Sequence, residues 1–240
     1  MDINDVEKYI YSQAWIPFFM EHESILSKTL HDLSMDNNVH FPYDDKIFRF
    51  TAIPPTKVTG VVIGMEPYSS YTVSGNEVIP EATGRSFEVA SVTSWEQKFK
   101  QSSLRNILKA VYNEVEGNRS DTLDDIRREI AEGHFVMPAP HDWFDLMESR
   151  GIMFLNTALT VNKGDTASHL RLWAPFMDLV IGYIADNSPD ACWMLFGKDA
   201  KYRIEDILIK RGITKIVITS HPRLPKFVHE RPFRMLKELI

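Results

Sequence analysis

A chain of 240 residues with 44% hydrophobic side chains can bury a full core as one large domain. No apolar run approaches the ~18 residues of a membrane span, and no basic-plus-apolar leader opens the sequence. The single cysteine, Cys192, excludes an internal disulfide, so a cytoplasmic, monomeric protein away from membranes is expected. The net charge of -6 argues against a nucleic-acid partner, but its distribution does not. Residues 198–240 carry 11 Lys/Arg against 5 Asp/Glu, while the remainder holds 16 against 28. That segment reads equally as a phosphate-facing surface or as ordinary solvated helix faces.

Residues 1–50 place Trp15, Phe18, Phe19, Ile25 and Leu26 at helical spacing, which predicts one or two helices. An irregular stretch from Phe41 to Asp45 follows, and 46–50 leads toward a first strand. Val61, Val62 and Ile63 form that strand, broken at Gly64. Met65-Glu66-Pro67-Tyr68 then turns away, presenting a carboxylate and a phenol at the strand's carboxyl end, where open α/β sheets bind ligands. Residues 69–83 read as a polar loop, of a length at which structureless loops tend to be functional or mobile. A capped amphipathic helix follows, with Ser102 or Ser103 as its N-cap, and a surface helix is expected within 116–135.

A helix over 141–150 ends at Gly151. A second strand, 152–155, delivers Asn156. After an apolar helix over 173–185 come a third strand, 191–196, and a helix over 202–210. The fourth strand, 215–219, delivers Ser220 and His221, and a last helix from about Pro232 ends the chain. Strands alternating with helices predict an α/β fold: a single domain whose central four-stranded, mostly parallel sheet is flanked by helices. No linker divides residues 1–240; 1–47 form an N-terminal helical part and 48–240 the core. One carboxylate, one amide and one imidazole thus share one sheet edge.

These residues resemble the uracil-DNA glycosylase superfamily, and most its uracil-excising branch. Gly64-Met65-Glu66-Pro67-Tyr68-Ser69 is similar to that branch's Gly-Gln-Asp-Pro-Tyr-His, and Gly84-Arg85-Ser86-Phe87 to its Gly-Leu-Ala-Phe. Leu155 to Val161 resembles Leu-Asn-Thr-Val-Leu-Thr-Val, Ser168-His169 the Ser-His that follows, and Ser220-His221-Pro222 the start of the His-Pro-Ser-Pro-Leu loop. All five occur in the family's order from about Phe48 onward.

The resemblance implies a monofunctional DNA glycosylase acting on single- or double-stranded DNA. Glu66 corresponds to the carboxylate that orients the attacking water, and His221 to the imidazole that meets the charge growing on the departing base. Asn156 would read the base edge, Phe87 would stack on it, and Tyr68 would crowd position 5 of the pyrimidine, with Met65 beside it. Ser103, Ser168, His169 and Ser220 are candidate phosphate contacts, each equally a cap or turn residue. Leu224 or Arg223 would fill the space left by the flipped nucleotide, although the Leu comes one place earlier than in the family.

Met65, Glu66 and Ser69 depart from the family's Gln, Asp and His, and the loop after Tyr68 is longer. Two substrates stay open: uracil, or a bulky modified cytosine (hydroxymethylated or glucosylated) of phage DNA, which would make an antiviral enzyme. A non-catalytic DNA-binding or processivity subunit is the alternative of another class. His141, His169, His221 and His229 lack metal-ligand spacing with Cys, and one cysteine cannot hold an iron–sulfur cluster, so neither metal nor cofactor is expected.

Overall fold

A computed structural model describes residues 3–117, 119 and 122–236. In chain order the helices are α1 (Ile16–Glu21), α2 (Glu23–Met35), α3 (Asp44–Ile47), α4 (Ser102–Glu116), α5 (Leu123–Ala131), α6 (Pro140–Ser149), α7 (Leu170–Asn187) and α8 (Lys198–Ile209). The strands are β1 (His40–Phe41), β2 (Gly60–Gly64), β3 (Tyr71–Ser74), β4 (Glu77–Pro80), β5 (Ile152–Asn156), β6 (Val161–Asn162), β7 (Cys192–Phe196) and β8 (Ile216–Thr219). The four strands expected from the apolar runs make one parallel sheet in the order β5-β2-β7-β8.

Strands β2, β5 and β7 are buried at every position because their runs are almost wholly apolar, as parallel strands covered by helices must be, while β8, at the edge, exposes Ile218. Period-two alternation sorts the side chains. Val61, Ile63, Trp193 and Leu195 join the core beneath α2, α7 and α8, whereas Val62, Phe154, Met194 and Phe196 join the core beneath α4 and α6. The N-terminal aromatics Trp15, Phe18 and Phe19 belong to the first of these, packed with Trp173 and Phe176. From β2 the chain goes on to β5 on one side, and from β7 to β8 on the other, so the direction of connection reverses between β2 and β7. The carboxyl ends therefore open a crevice at that reversal.

Four local expectations need correction. The segment after Tyr68 is not an irregular loop: β3 and β4 pair as an antiparallel hairpin, Val73 opposite Val78, around Gly75-Asn76. Glu81 N donates to Ser70 O at 3.0 Å and closes the hairpin's base. Neither Ser102 nor Ser103 caps α4; both lie inside it, after Gln101, and no side-chain cap bond forms. Residues 46–50 do not extend toward β2, because α3 and a 3₁₀ turn over Arg49–Ala52 occupy them. From Pro232 the chain makes turns rather than a helix as far as residue 236, preceded by a 3₁₀ helix at Pro225–Glu230. The expected remainder of that helix lies outside the described residues.

Candidate active site

At the carboxyl edge of the sheet a cavity of about 260 Å³ is walled by residues 64–70, Phe87, Asn156 and His221, with Ser103 and Thr166 at its rim. Another cavity of about 260 Å³ lies among residues 6–23, lined by apolar side chains and the glutamates Glu7 and Glu23. Volume does not separate the two; the convergence of an acid, an amide and an imidazole does.

Gly64 and Asn156 are register partners at the ends of β2 and β5. A Cβ on Gly64 would lie 2.4 Å from Asn156 Oδ1 and 2.6 Å from Ser86 Cβ, so only glycine lets the carboxamide stand there. Asn156 is 3% exposed, and its carboxamide has no hydrogen-bond partner among the described residues. Beyond the strands, Thr157 N donates to Gly64 O and Ala158 N to Met65 O, at 3.0 and 2.9 Å. The Met65 side chain packs partly into the core below.

Glu66 is half-buried, and its Oε2 accepts the Ala167 backbone N–H at 2.7 Å. Burial raises the carboxyl above its ordinary value and nearby Asp165 adds to the rise, while the Ala167 bond opposes it. Ala167 holds a φ of 63°, unusual for a residue with a side chain. Phe87 does the same at 66°, a costlier conformation for an aromatic residue, worth ~1–3 kcal/mol. Of the three described non-glycine residues with positive φ, Phe87 lines this cavity and Ala167 holds Glu66, which lines it too. The Phe87 ring centroid lies 6.0 Å from Phe196 and 6.5 Å from His221. Tyr68 packs against the same core, and burial together with the Glu81 charge holds its phenol protonated.

His221 stands against Gly197, whose φ of 99° needs glycine and where a Cβ would sit 3.2 Å from His221 Cβ. Its Nδ1 accepts the Arg223 backbone N–H at 3.1 Å. The neutral ring therefore carries its proton on Nε2. Burial, and next the Arg223 charge, lower the imidazole below its ordinary value, with Asp199 opposing. Asn106 on α4 donates to Pro222 O, and Ser220 donates through N and Oγ to Glu230 Oε2.

The proposed phosphate contacts divide. Ser103 reaches the rim. Ser220 is engaged with Glu230, and Ser168 Oγ accepts Asn162 N and donates to Asp165 O within its turn. His169 is not at the rim: it is 3% exposed, with Thr160 Oγ1 2.8 Å from Nδ1 and Asp36 Oδ2 3.3 Å from Nε2. Trp173 Nε1 donates to the same Thr160 oxygen, which leaves that hydroxyl to donate to His169. Burial keeps this ring's proton affinity low, so it is a neutral strut between α2 and the Ala167 loop. Arg223 is exposed beside His221, and Leu224 is 41% exposed.

The basic balance of residues 198–240 is largely neutralised. Arg203, Arg211, Lys215 and Arg231 pair with Asp178, Asp186, Asp190 and Glu114, while Lys201 and Lys226 pair with acids one turn on. Among the described residues no group of three His, Cys, Asp or Glu side chains could hold a metal ion, and no helix is long and apolar enough to cross a membrane. Sequence reasoning missed Ala167, which acts through its backbone and leaves no side-chain signal. It also missed Thr166, although Thr166 adjoins a segment singled out for its Ser-His pair.

The sheet order and the groups at its edge define an α/β architecture with one polar crevice at the carboxyl ends of its strands. A uracil-DNA glycosylase of Aliarcobacter butzleri is 30% identical over 195 residues, covering 80% of this chain and 74% of that protein. Another, from Helicobacter pylori, is 25% identical over 217 residues, covering 90% and 80%. In three dimensions the UNG of Nitratifractor salsuginis superposes with a TM-score of 0.76 at 18% identity, covering 100% of this chain and 97% of that one. The mimivirus uracil-DNA glycosylase gives 0.69 at 23% identity, covering 92% and 71%. No protein-family model matches. The chain belongs to the uracil-DNA glycosylase family.

Proposed function

We propose that this protein hydrolyses the N-glycosidic bond of a uracil nucleotide flipped out of DNA, leaving an abasic site. One observation carries the reading: Glu66, Asn156 and His221 border one cavity, and the acid and the imidazole are each fixed by a single backbone N–H. The relatives from Aliarcobacter butzleri and Helicobacter pylori are named for that activity.

Glu66 in its charged form orients a water toward C1′ of the deoxyribose and takes its proton as the new C–O bond forms. The same charge faces the oxocarbenium-like sugar. The C1′–N1 bond breaks, its electron pair passes to the base, and negative charge gathers on the base O2. The Nε2–H of His221 donates to that oxygen; a neutral ring suffices, in keeping with its lowered proton affinity. Asn156, with a free donor and acceptor, suits the polar edge of the pyrimidine. Stacking on Phe87, worth ~1–3 kcal/mol in single-strand binders, offsets part of the few kcal/mol that flipping requires.

A modified pyrimidine is the second reading, favoured by the cavity wall. Ser69, Ser70 and Thr166 border the cavity, and their hydroxyls have no hydrogen-bond partner among the described residues. The hairpin β3–β4 starts where that wall ends. Hydroxyls in that position suit a polyhydroxylated substituent such as that of glucosylated cytosine, whereas Tyr68 in the same wall suits uracil.

Mass spectrometry of bases released from a uracil-containing oligonucleotide, and from phage DNA with hydroxymethylated or glucosylated cytosine, tests both readings. Free uracil, absent with Glu66→Gln, is the expected result. Release of modified cytosine alone would transfer the function to the second reading. DNA binding with no base released from either substrate would leave a non-catalytic subunit.

A further inference from the structure

The turn that carries Phe87 is clamped by charges that the chemistry above does not use. Arg85 and Glu88 flank the ring and are 7% and 4% exposed. The Arg85 guanidinium spreads over three carboxylates: Nε to Glu148 at 3.0 Å, Nη1 to Glu88 at 3.3 Å, and Nη2 to Asp145. Arg49 holds the same Glu148 through two bonds, at 3.2 and 2.7 Å, and His141 Nδ1 lies 2.9 Å from Glu88 Oε1. The similar family segment, Gly-Leu-Ala-Phe, has a leucine where Arg85 stands.

Around the clamp the backbone has no slack. Gly84 sits at φ 90°, and a Cβ there would lie 2.3 Å from Lys46 O, so the position takes only glycine. Ser86 donates its N–H to Phe154 O on β5 and its hydroxyl to Val62 O on β2, both at 3.1 Å. Phe87 is left as the strained residue between fixed neighbours. Buried ion pairs are weak contributors to net stability, and conformational specificity is the role to be tested for them.

We propose that the Arg85–Glu88–Glu148 network is a positioning device for Phe87, holding its backbone in the left-handed region so that the ring is ready to stack on the flipped base. Arg85 and Glu88 are positioning residues: they act through Phe87 and touch no substrate atom. The proposal rests on the pyrimidine-excision reading.

The test is a double-mutant cycle in single-turnover excision of uracil from a synthetic oligonucleotide, with DNA affinity measured by fluorescence anisotropy. Arg85→Lys, which keeps the charge but loses the fork, should slow excision on the order of ten-fold and leave affinity within about two-fold. In the Phe87→Leu background the same change should cost nothing more. Additive losses in the double variant would overturn the proposal, because a merely structural role adds to the loss of Phe87. Glu88→Gln runs the same cycle if Arg85→Lys does not fold. If the wild-type protein releases no uracil, the functional reading has failed, and positioning is read independently by 19F NMR with 4-fluorophenylalanine. The Phe87 resonance, assigned by its loss in Phe87→Leu, should shift in Glu88→Gln; an unmoved resonance refutes the clamp.

Discussion

His221 Nδ1 accepts the backbone N–H of Arg223, two residues on, at 3.1 Å. This fixes the tautomer with no carboxylate hydrogen-bonded to the ring among the described residues, so the imidazole stands at the cavity as a neutral Nε2–H donor. His221→Ala should slow base release by about 10²–10³-fold, the usual cost of deleting one preorganised donor to a developing anion. Nitrogen NMR of the labelled ring checks the tautomer: Nε2 should be protonated and Nδ1 bare at neutral pH. With its affinity for protons lowered, the ring should take up its second proton only below the ordinary histidine value of 6.5.

The acid limb of the pH–rate profile should be set by Glu66. The proposed hydrolysis needs the charged carboxylate, and burial together with Asp165 raises its pKa above the ordinary 4.5. Excision should therefore fall as pH drops, at higher pH than an unperturbed glutamate would give. Asp165→Asn removes one source of the rise, so the limb should move to lower pH. Asp165 is exposed, so this displacement should shrink in high salt. A limb unmoved by Asp165→Asn at low salt would remove Asp165 from the account.

Gly64→Ala tests the clearance beneath Asn156. A Cβ 2.4 Å from Asn156 Oδ1 must displace that carboxamide or split β2 from β5. A stability loss of about 1–3 kcal/mol is expected from overpacking, read by chemical denaturation. Excision should fall further than stability does, because the displaced group borders the cavity.

Asp36→Ala should loosen the strut behind the Ala167 loop. The Asp36 carboxylate accepts Asn162 Nδ2 at 2.7 Å and faces His169, and these bonds hold it below the usual carboxylate range. A group with a depressed folded-state pKa stabilises above its unfolded value, and that contribution fades as pH falls below it. The variant's stability deficit, roughly 1 kcal/mol, should be full near neutrality and shrink below about pH 4.

The strand ends were the legible part of this molecule. Val61 to Ile63, Ile152 to Leu155 and their partners are continuous apolar runs, and each polar residue that follows must emerge at the same edge of a parallel sheet. Glu66, Asn156 and His221 needed no more than that. The hairpin after Tyr68 was missed because its strands are only four residues long and largely exposed, so no alternation marks a buried face. Its Gly75-Asn76 pair was the available sign. His169 was misplaced for the opposite reason. Residues 164–167 just before it are exposed, and only tertiary packing against Asp36 and Thr160 shows that the ring points inward.

The hydrogen bond from Glu81 N to Ser70 O brings the two ends of the hairpin together at one point of the frame, and Tyr43 Oη donates to Val78 O where the hairpin lies back on it. Its length is therefore uncoupled from the spacing between Glu66 and Phe87. A segment of different reach grafted at that seam should leave Glu66, Asn156 and His221 where they stand, and base release from the grafted protein would read whether choice of base travels with the graft.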